Sequence, residues 1–284
     1  MSEDLERWRA WIGRVEETED TIDVGRARAM QATLDDPGAP LGPGDPLPPL
    51  WHWLYFWDVM PGAALGAEGH PARGGFLPPI EAPRRMWAGS RLSFLRPLPV
   101  GATATRRSEI ADVRLKEGRS GRLVFVTVRH LVATSEDLCI EEEQDLVFRD
   151  DPQPGETARP GEPAPEHAPW HRQVPPDPVL LFRYSALTFN GHRIHFDLKF
   201  ATEDEGYPGL VVHGPLLATL MVELVRRARP QARVTRFEFR AERPVFDTAP
   251  FMVAGEPAPD GRSAELWVAD AQGFYASRGR VELE

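Results

Sequence analysis

Residues 91–100 read RLSFLRPLPV, and residues 236–245 read RFEFRAERPV. At a constant offset of 145, Arg91, Phe94, Pro99 and Val100 match Arg236, Phe239, Pro244 and Val245. Four identities in ten gain weight from what surrounds them. In the first half, Leu50–Met60 (LWHWLYFWDVM), bounded by Pro49 and Pro61, predicts a helix of about three turns. Strand-like stretches follow near 90–97, 103–115, 121–134 and 138–148, and Leu123–Val128 (LVFVTV) has the β-branched bias of a buried strand. In the second half, Pro215–Arg229 (PLLATLMVELVRRAR) has apolar residues at helical spacing, a proline at the first helical position and cations in its last turn. Strands are expected near 234–242, 250–256, 262–270 and 273–282.

The shared order, one helix and then four strands, reads as an internal duplication of an α+β unit whose antiparallel sheet wraps around a helix. That is the description of a hotdog fold, and two copies make a double hotdog. The expected organisation is residues 1–150 as a first, non-catalytic repeat forming a ligand groove, 151–176 as a Pro-rich linker, and 177–284 as the catalytic repeat. The linker reading rests on eight prolines between 152 and 176, a composition that forms neither helix nor central strand. Residues 37–49 (PGAPLGPGDPLPP) are a second breaker-rich stretch.

The 284 residues carry 33 Lys plus Arg against 43 Asp plus Glu, a formal charge of −10, which argues against general nucleic-acid binding. A single cysteine, Cys139, forbids an internal disulfide and fits a reducing, cytoplasmic setting. No apolar run approaches the ~18 residues of a membrane span. The acidic start MSEDLERWRAWIG is unlike a signal peptide.

Polar and ionisable residues gather between Phe182 and Ala218, in FRYSALTFNGHRIHFDLKFATEDEGYPGLVVHGPLLA. Phe189–His195 (FNGHRIH) followed by VVHGPL at 211–216 resembles the MaoC-like (R)-specific enoyl-CoA hydratases, whose signature is G-D-x-N-P-[LIV]-H ahead of a central helix opened by a His-Gly step. More narrowly, TFNGHRIHFD with YPGLVVHGPL, and MWAGSRLSFLRPL at 86–98, resembles the two-hotdog hydroxyacyl-thioester dehydratases of mitochondrial type and the hydratases of mesaconyl-C4-CoA and itaconyl-CoA. The resemblance implies that His195 stands where the family's catalytic histidine stands. It also implies an acyl-CoA ligand, with CoA part of the substrate and no further cofactor. One expected assembly is a homodimer, since hotdogs pair through their sheets.

The family pattern has Asp five residues before that histidine, and here the position is Asn190. An amide is no general base, so His195 is expected to be the main proton-transfer group, with Asn190 holding water or thioester by hydrogen bonds. Gly214, just before Pro215, is the expected backbone donor for the charge that develops on the thioester oxygen. Asp197, His213 and His192 are candidate supporting residues. His192 and His195 form an HxxH pair, but a zinc site needs three or four ligands and no others are evident, so no metal is expected.

The first half has no counterpart of FNGHRIH, so one active site per chain is expected. Its arginines Arg84, Arg85, Arg91 and Arg96 are candidate phosphate or carboxylate contacts, as is Arg193 within the catalytic stretch. The aromatic cluster Trp51, Trp53, Tyr55, Phe56 and Trp57 reads as core and repeat interface, and Cys139 as an unreactive thiol. The expected reaction is hydration of an acyl-CoA of the itaconyl or mesaconyl type, giving citramalyl-CoA. The alternatives are a fatty-acid-type 3-hydroxyacyl-thioester dehydratase, a hotdog thioesterase and a non-catalytic acyl-CoA-binding protein.

Overall fold

The computed structural model describes residues 3–72, 74–118, 121–150 and 161–284. The first half contains α1 (Glu3–Arg9), β1 (Val15–Thr21), α2 (Val24–Thr33) and then β2 (Arg84–Phe94), β3 (Thr103–Gly118), β4 (Gly121–Ala133) and β5 (Leu138–Arg149). The second contains β6 (Trp170–Val174), α3 (Pro178–Thr188), α4 (Gly214–Ala228), β7 (Val234–Ala241), β8 (Phe251–Pro257), β9 (Ser263–Ala269) and β10 (Tyr275–Leu283). All ten strands join one antiparallel sheet in the order β1-β3-β4-β5-β2-β7-β10-β9-β8-β6. Read from β2 outward and from β7 outward, the two halves mirror each other.

The pseudo-symmetry runs through the segments that exposed it in the sequence. Across β2 and β7, Leu92 pairs with Phe237, its own counterpart at the offset of 145. The strap leading into each central helix is hung on the sheet in the same way. Leu47 N–H donates to the Leu98 carbonyl and Val212 N–H to the Val245 carbonyl, both at 2.8 Å. The strands fall close to their expected places, and the double-hotdog architecture stands. Among the described residues no helix is long and apolar enough to cross a membrane.

In the second repeat the central helix α4 is full length. Every residue from Leu216 to Val225 is buried, as befits a helix enclosed by a curved sheet. In the first repeat the expected helix over Leu50–Met60 does not form. Only Trp51–Leu54 make a turn of 3-10 helix, flanked by left-handed residues Leu50 and Phe56 at φ 72° and 59°. Trp51, His52, Leu54, Tyr55 and Phe56 are all buried. The left-handed residues on either side end the turn before an α-helix can propagate. The shortened helix leaves room for a cavity of about 1900 Å³ running between the repeats.

The linker boundaries also change. Residues 151–160 lie outside the described residues, but β6, inside the expected linker, pairs with β8 and forms the edge of the second repeat's sheet. Short α2 and α3 were not expected from the sequence. Each is capped by an aspartate, Asp23 accepting from Arg26 N–H and Asp177 from Val179 N–H, both at 2.8 Å.

Candidate active site

Helix α3 ends at Phe189, left-handed at φ 52°, which turns the chain into the loop that carries the catalytic candidates. The turn is pinned by Asn190 N–H to the Ser185 carbonyl (2.8 Å) and by His192 N–H to Asn190 Oδ1 (2.9 Å). Farther on, Val211 N–H donates to the Ile194 carbonyl at 3.0 Å, and Ile194, Phe200 and Val211 form a small core beneath the loop.

His195 is buried and lines the cavity. Its Nδ1 lies 2.7 Å from the Val211 carbonyl oxygen, which can only accept, so Nδ1 carries the proton and Nε2 keeps its lone pair. Burial pushes the imidazole down to about 4, outweighing the carbonyl bond that favours the charged form. His195 is therefore a neutral base at pH 7. Its ring stacks on His213 at 3.7 Å between centroids and 20° between planes. His213 is anchored in turn by Ser185 Oγ, 2.7 Å from Nε2, and is held well below the ordinary histidine range by burial and the neighbouring imidazoles. It supports His195 from behind.

Asn190 lines the same cavity, and its Oδ1 is used by the backbone turn. No protein partner among the described residues engages its Nδ2, which leaves an amide donor for a ligand. Gly214 opens α4 on the cavity wall, and a Cβ built there would meet nothing within 4 Å, so the space ahead of this helix N-terminus is open. His195, Asn190 and Gly214 thus all line this cavity.

Other expected residues lie elsewhere. Asp197 does not orient His195: its Oδ2 accepts from Arg193 Nε (2.9 Å) and Nη2 (2.7 Å). Arg193 also donates to the Ala67 carbonyl at 3.1 Å and lies over the Phe200 ring, off the cavity wall. Arg91 is no ligand contact. It sits on an exposed face of the sheet between Glu143 (3.2 Å) and Asp145 (2.6 Å). Arg96 is exposed beside Asp137. Arg84 and Arg85 do line the cavity; Arg84 donates to Tyr207 Oη at 3.0 Å, and the charge of Arg85 acts on His192.

Two features were not legible in the sequence. One is a polar wall in the first repeat. Glu142 Oε2 accepts from His52 Nε2 (3.1 Å) and Trp53 Nε1 (3.0 Å), and Oε1 from Ser90 Oγ (2.8 Å). Burial alone would raise this carboxyl, but the bonds from His52 and Trp53 and the nearby His130 hold it down at about 2. Partly buried His130, between Ser108 and Gln144, is pushed to about 4 by loss of solvent around its ring, and Arg106 stands on the same wall. The inward positions of β3, β4 and β5 that carry these residues are the signal an alternation count could have found.

The other feature is a hairpin from the first repeat that sits on the catalytic loop. Ala72 N–H to the Ala64 carbonyl (2.9 Å), Gly66 N–H to His70 (2.8 Å) and Gly69 N–H to Gly66 (2.9 Å) close its tip. Arg193 N–H donates to the Glu68 carbonyl at 2.9 Å, joining tip and loop. Glu68 then lies 3.4 Å from His70 Nδ1 and 3.7 Å from His192 Nε2, and the two imidazole centroids are 4.3 Å apart. The first repeat therefore does bring a histidine and a carboxylate to the site, against expectation.

Residues 50–247 match the family model described as hydroxyacyl-thioester dehydratase type 2. The chain belongs to that family. It is 50% identical over 279 residues, 97% of this chain and 98% of the relative, to a mesaconyl-C(4)-CoA hydratase of Chloroflexus aurantiacus. It is 32% identical over 78% of its length, and 80% of the relative's, to the mitochondrial hydroxyacyl-thioester dehydratase type 2 of Schizosaccharomyces pombe. Among solved structures, a MaoC-like dehydratase from Phytophthora capsici superposes with a TM-score of 0.70 at 11% identity, covering 99% of this chain and 98% of that one. A Mycobacterium tuberculosis protein described as a double hotdog gives 0.58 at 15%, covering 96% of each chain. These structural likenesses confirm the fold of this dehydratase-family chain. Its activity has to be argued from the site and from the full-length relatives.

Proposed function

We infer that this chain is a hydro-lyase that adds water to a CoA thioester of a C5 dicarboxylic acid, mesaconyl-C4-CoA or itaconyl-CoA, giving citramalyl-CoA. The observation that carries the reaction is the tautomer of His195, which leaves a basic Nε2 on a side chain lining the cavity beside the N-terminus of α4. Half-identity over nearly the full length to a mesaconyl-C(4)-CoA hydratase supports the acyl class.

On mesaconyl-C4-CoA, whose double bond is conjugated with the thioester, Nε2 takes a proton from water while the oxygen bonds to the β-carbon. The π pair moves toward the thioester oxygen, where the Gly214 N–H and the helix dipole offset the growing negative charge. The imidazolium then returns its proton to the α-carbon, and neutral His195 is regenerated. An imidazole pushed to about 4 gives that proton back readily. Asn190 Nδ2 serves as a donor to the water or the thioester.

The substrate's free carboxylate needs a cationic partner if it is held away from water. Arg85, on the cavity wall and close enough for its charge to act on His192, is suited to this role; Arg84 is paired with Glu205 at 3.4 Å, and Arg193 and Arg91 lie off the cavity wall. Mesaconyl-C4-CoA, itaconyl-CoA and crotonyl-CoA form the test. Hydrated product identifies a hydratase, free CoA a thioesterase, and binding without turnover a non-catalytic protein. In a hydratase the dicarboxylic thioesters should exceed crotonyl-CoA in kcat/KM, and Arg85→Met should lower that ratio by roughly 10-fold or more, the worth of one charge-assisted contact. Equal kcat/KM for charged and uncharged acyl groups would reject the dicarboxylic assignment.

A further inference from the structure

We propose that Glu68, His70 and His192 bind a divalent transition-metal ion of the zinc class, which staples the first repeat's hairpin to the catalytic loop. Among the described residues these three side chains place one ligand-type atom each within 4.8 Å of one another. Two imidazoles and a carboxylate are the donor set that suits zinc and its neighbours rather than calcium or magnesium.

The geometry is close to what such an ion needs. Metal–nitrogen and metal–oxygen bonds of about 2.0–2.2 Å put tetrahedral ligands roughly 3.4 Å apart. Here His70 Nδ1 stands 3.4 Å from Glu68 Oε1, and His192 Nε2 stands 3.7 Å from the other oxygen, Oε2, of the same carboxylate. The three ligand atoms lie within 4.8 Å of one another, so the widest separation has at most about 1.4 Å to close.

The backbone is already set. Glu68 and His70 sit two residues apart on a hairpin tip closed by its own hydrogen bonds, and the Arg193–Glu68 bond fixes that tip against the loop carrying His192. Both imidazoles lie on the cavity wall, so the fourth position of a three-ligand site opens toward the cavity, where water completes the tetrahedron. The site owes nothing to the identity of the acyl substrate, and Glu68 and His70 are ligand-type groups that the HxxH spacing alone did not reveal.

The experiment uses the full chain without a polyhistidine tag, stripped by a chelator and titrated with Zn²⁺ or Co²⁺ alone. One equivalent should bind, Co²⁺ should develop the intense visible bands of a four-coordinate ion, and Zn²⁺ should raise Tm. His70→Ala and Glu68→Gln, both on the hairpin rather than the catalytic loop, should abolish the bands and the Tm shift. His171→Ala, on exposed β6, should change neither. Absence of a stoichiometric Co²⁺ spectrum in the wild-type chain would overturn the proposal. So would metal uptake that survives His70→Ala and Glu68→Gln, or that disappears in His171→Ala.

Discussion

Gly69 and Gly191 meet backbone to backbone: a Cβ built on Gly69 would lie 1.9 Å from the carbonyl oxygen of Gly191. Gly69 is also left-handed, at φ 96°. The contact ties the hairpin of one repeat to the catalytic loop of the other, so a side chain at Gly69 must push the two apart. Gly69→Ala is expected to lower kcat/KM by on the order of 100-fold, the cost of an ångström-scale displacement of catalytic groups. Tm should fall much less, because the hairpin lies outside both main cores. A variant with wild-type turnover would show that the hairpin does not position the loop.

His195→Ala should reduce kcat by ~100-fold or more, the usual contribution of a positioned proton-transfer group. His195→Gln fills part of the same space without a basic nitrogen and should be equally slow. A folded His195→Ala variant with near-normal hydration would remove His195 from the mechanism.

Asn190 has two separable roles. Its Oδ1 holds the His192 N–H in the turn, and its Nδ2 has no protein partner among the described residues of the cavity lining. Asn190→Asp keeps the acceptor and loses the donor, so thermal stability should stay close to wild type while kcat drops. Asn190→Ala loses both, and should cost about 1 kcal/mol of stability in addition, as for other side-chain caps on a backbone N–H. Activity restored or raised in Asn190→Asp would mean that the site still works as an Asp/His pair. Two silent substitutions would make Asn190 a structural turn residue.

The first repeat's polar wall should contribute to the acid sensitivity of the fold, alongside the lowered imidazoles of His195 and His213. His130 is held near 4 in the folded chain by burial, whereas an unfolded chain protonates it below about 6.5. Glu142 is held near 2 and is protonated below about 4.5 when unfolded. In both cases the unfolded state binds the proton first, so stability falls as pH drops. His130 acts from about 6.5 down to 4, and Glu142 from about 4.5 down to 2. Each proton taken up only by the unfolded chain removes about 1.4 kcal/mol per pH unit. Urea midpoints measured at pH 7, 5.5 and 4 should fall in that order, and His130→Gln should flatten the upper part of the slope. A midpoint independent of pH over this range would contradict the neutral assignment of His130.

Much of the architecture was legible in local pattern. The β-branched run at Leu123–Val128 lies within β4, and Pro215 with LLATLM marks α4, because strand alternation and helix periodicity are properties of a few neighbouring residues. The aromatic segment at 50–60 misled for the same reason. Its composition is that of a buried helix, but left-handed Leu50 and Phe56 interrupt it, and the long-range bonds of Glu142 on β5 to His52 and Trp53 hold the short turn that remains. Arg91 misled in a similar way. A count of arginines cannot show which of them face Glu143 and Asp145 across a strand pair.

The sequence by itself determined the duplicated α+β plan, four of the strands in each repeat and the FNGHRIH block with its following His-Gly helix start, since each is written within a short continuous stretch. Only the tertiary structure decided that His195 is a neutral base. Its protonation depends on the Val211 carbonyl sixteen residues away and on burial against His213. Only the tertiary structure brought Glu68 and His70 to His192, more than 120 residues along the chain. Pairing and desolvation act through space, and separation along the sequence carries no record of either.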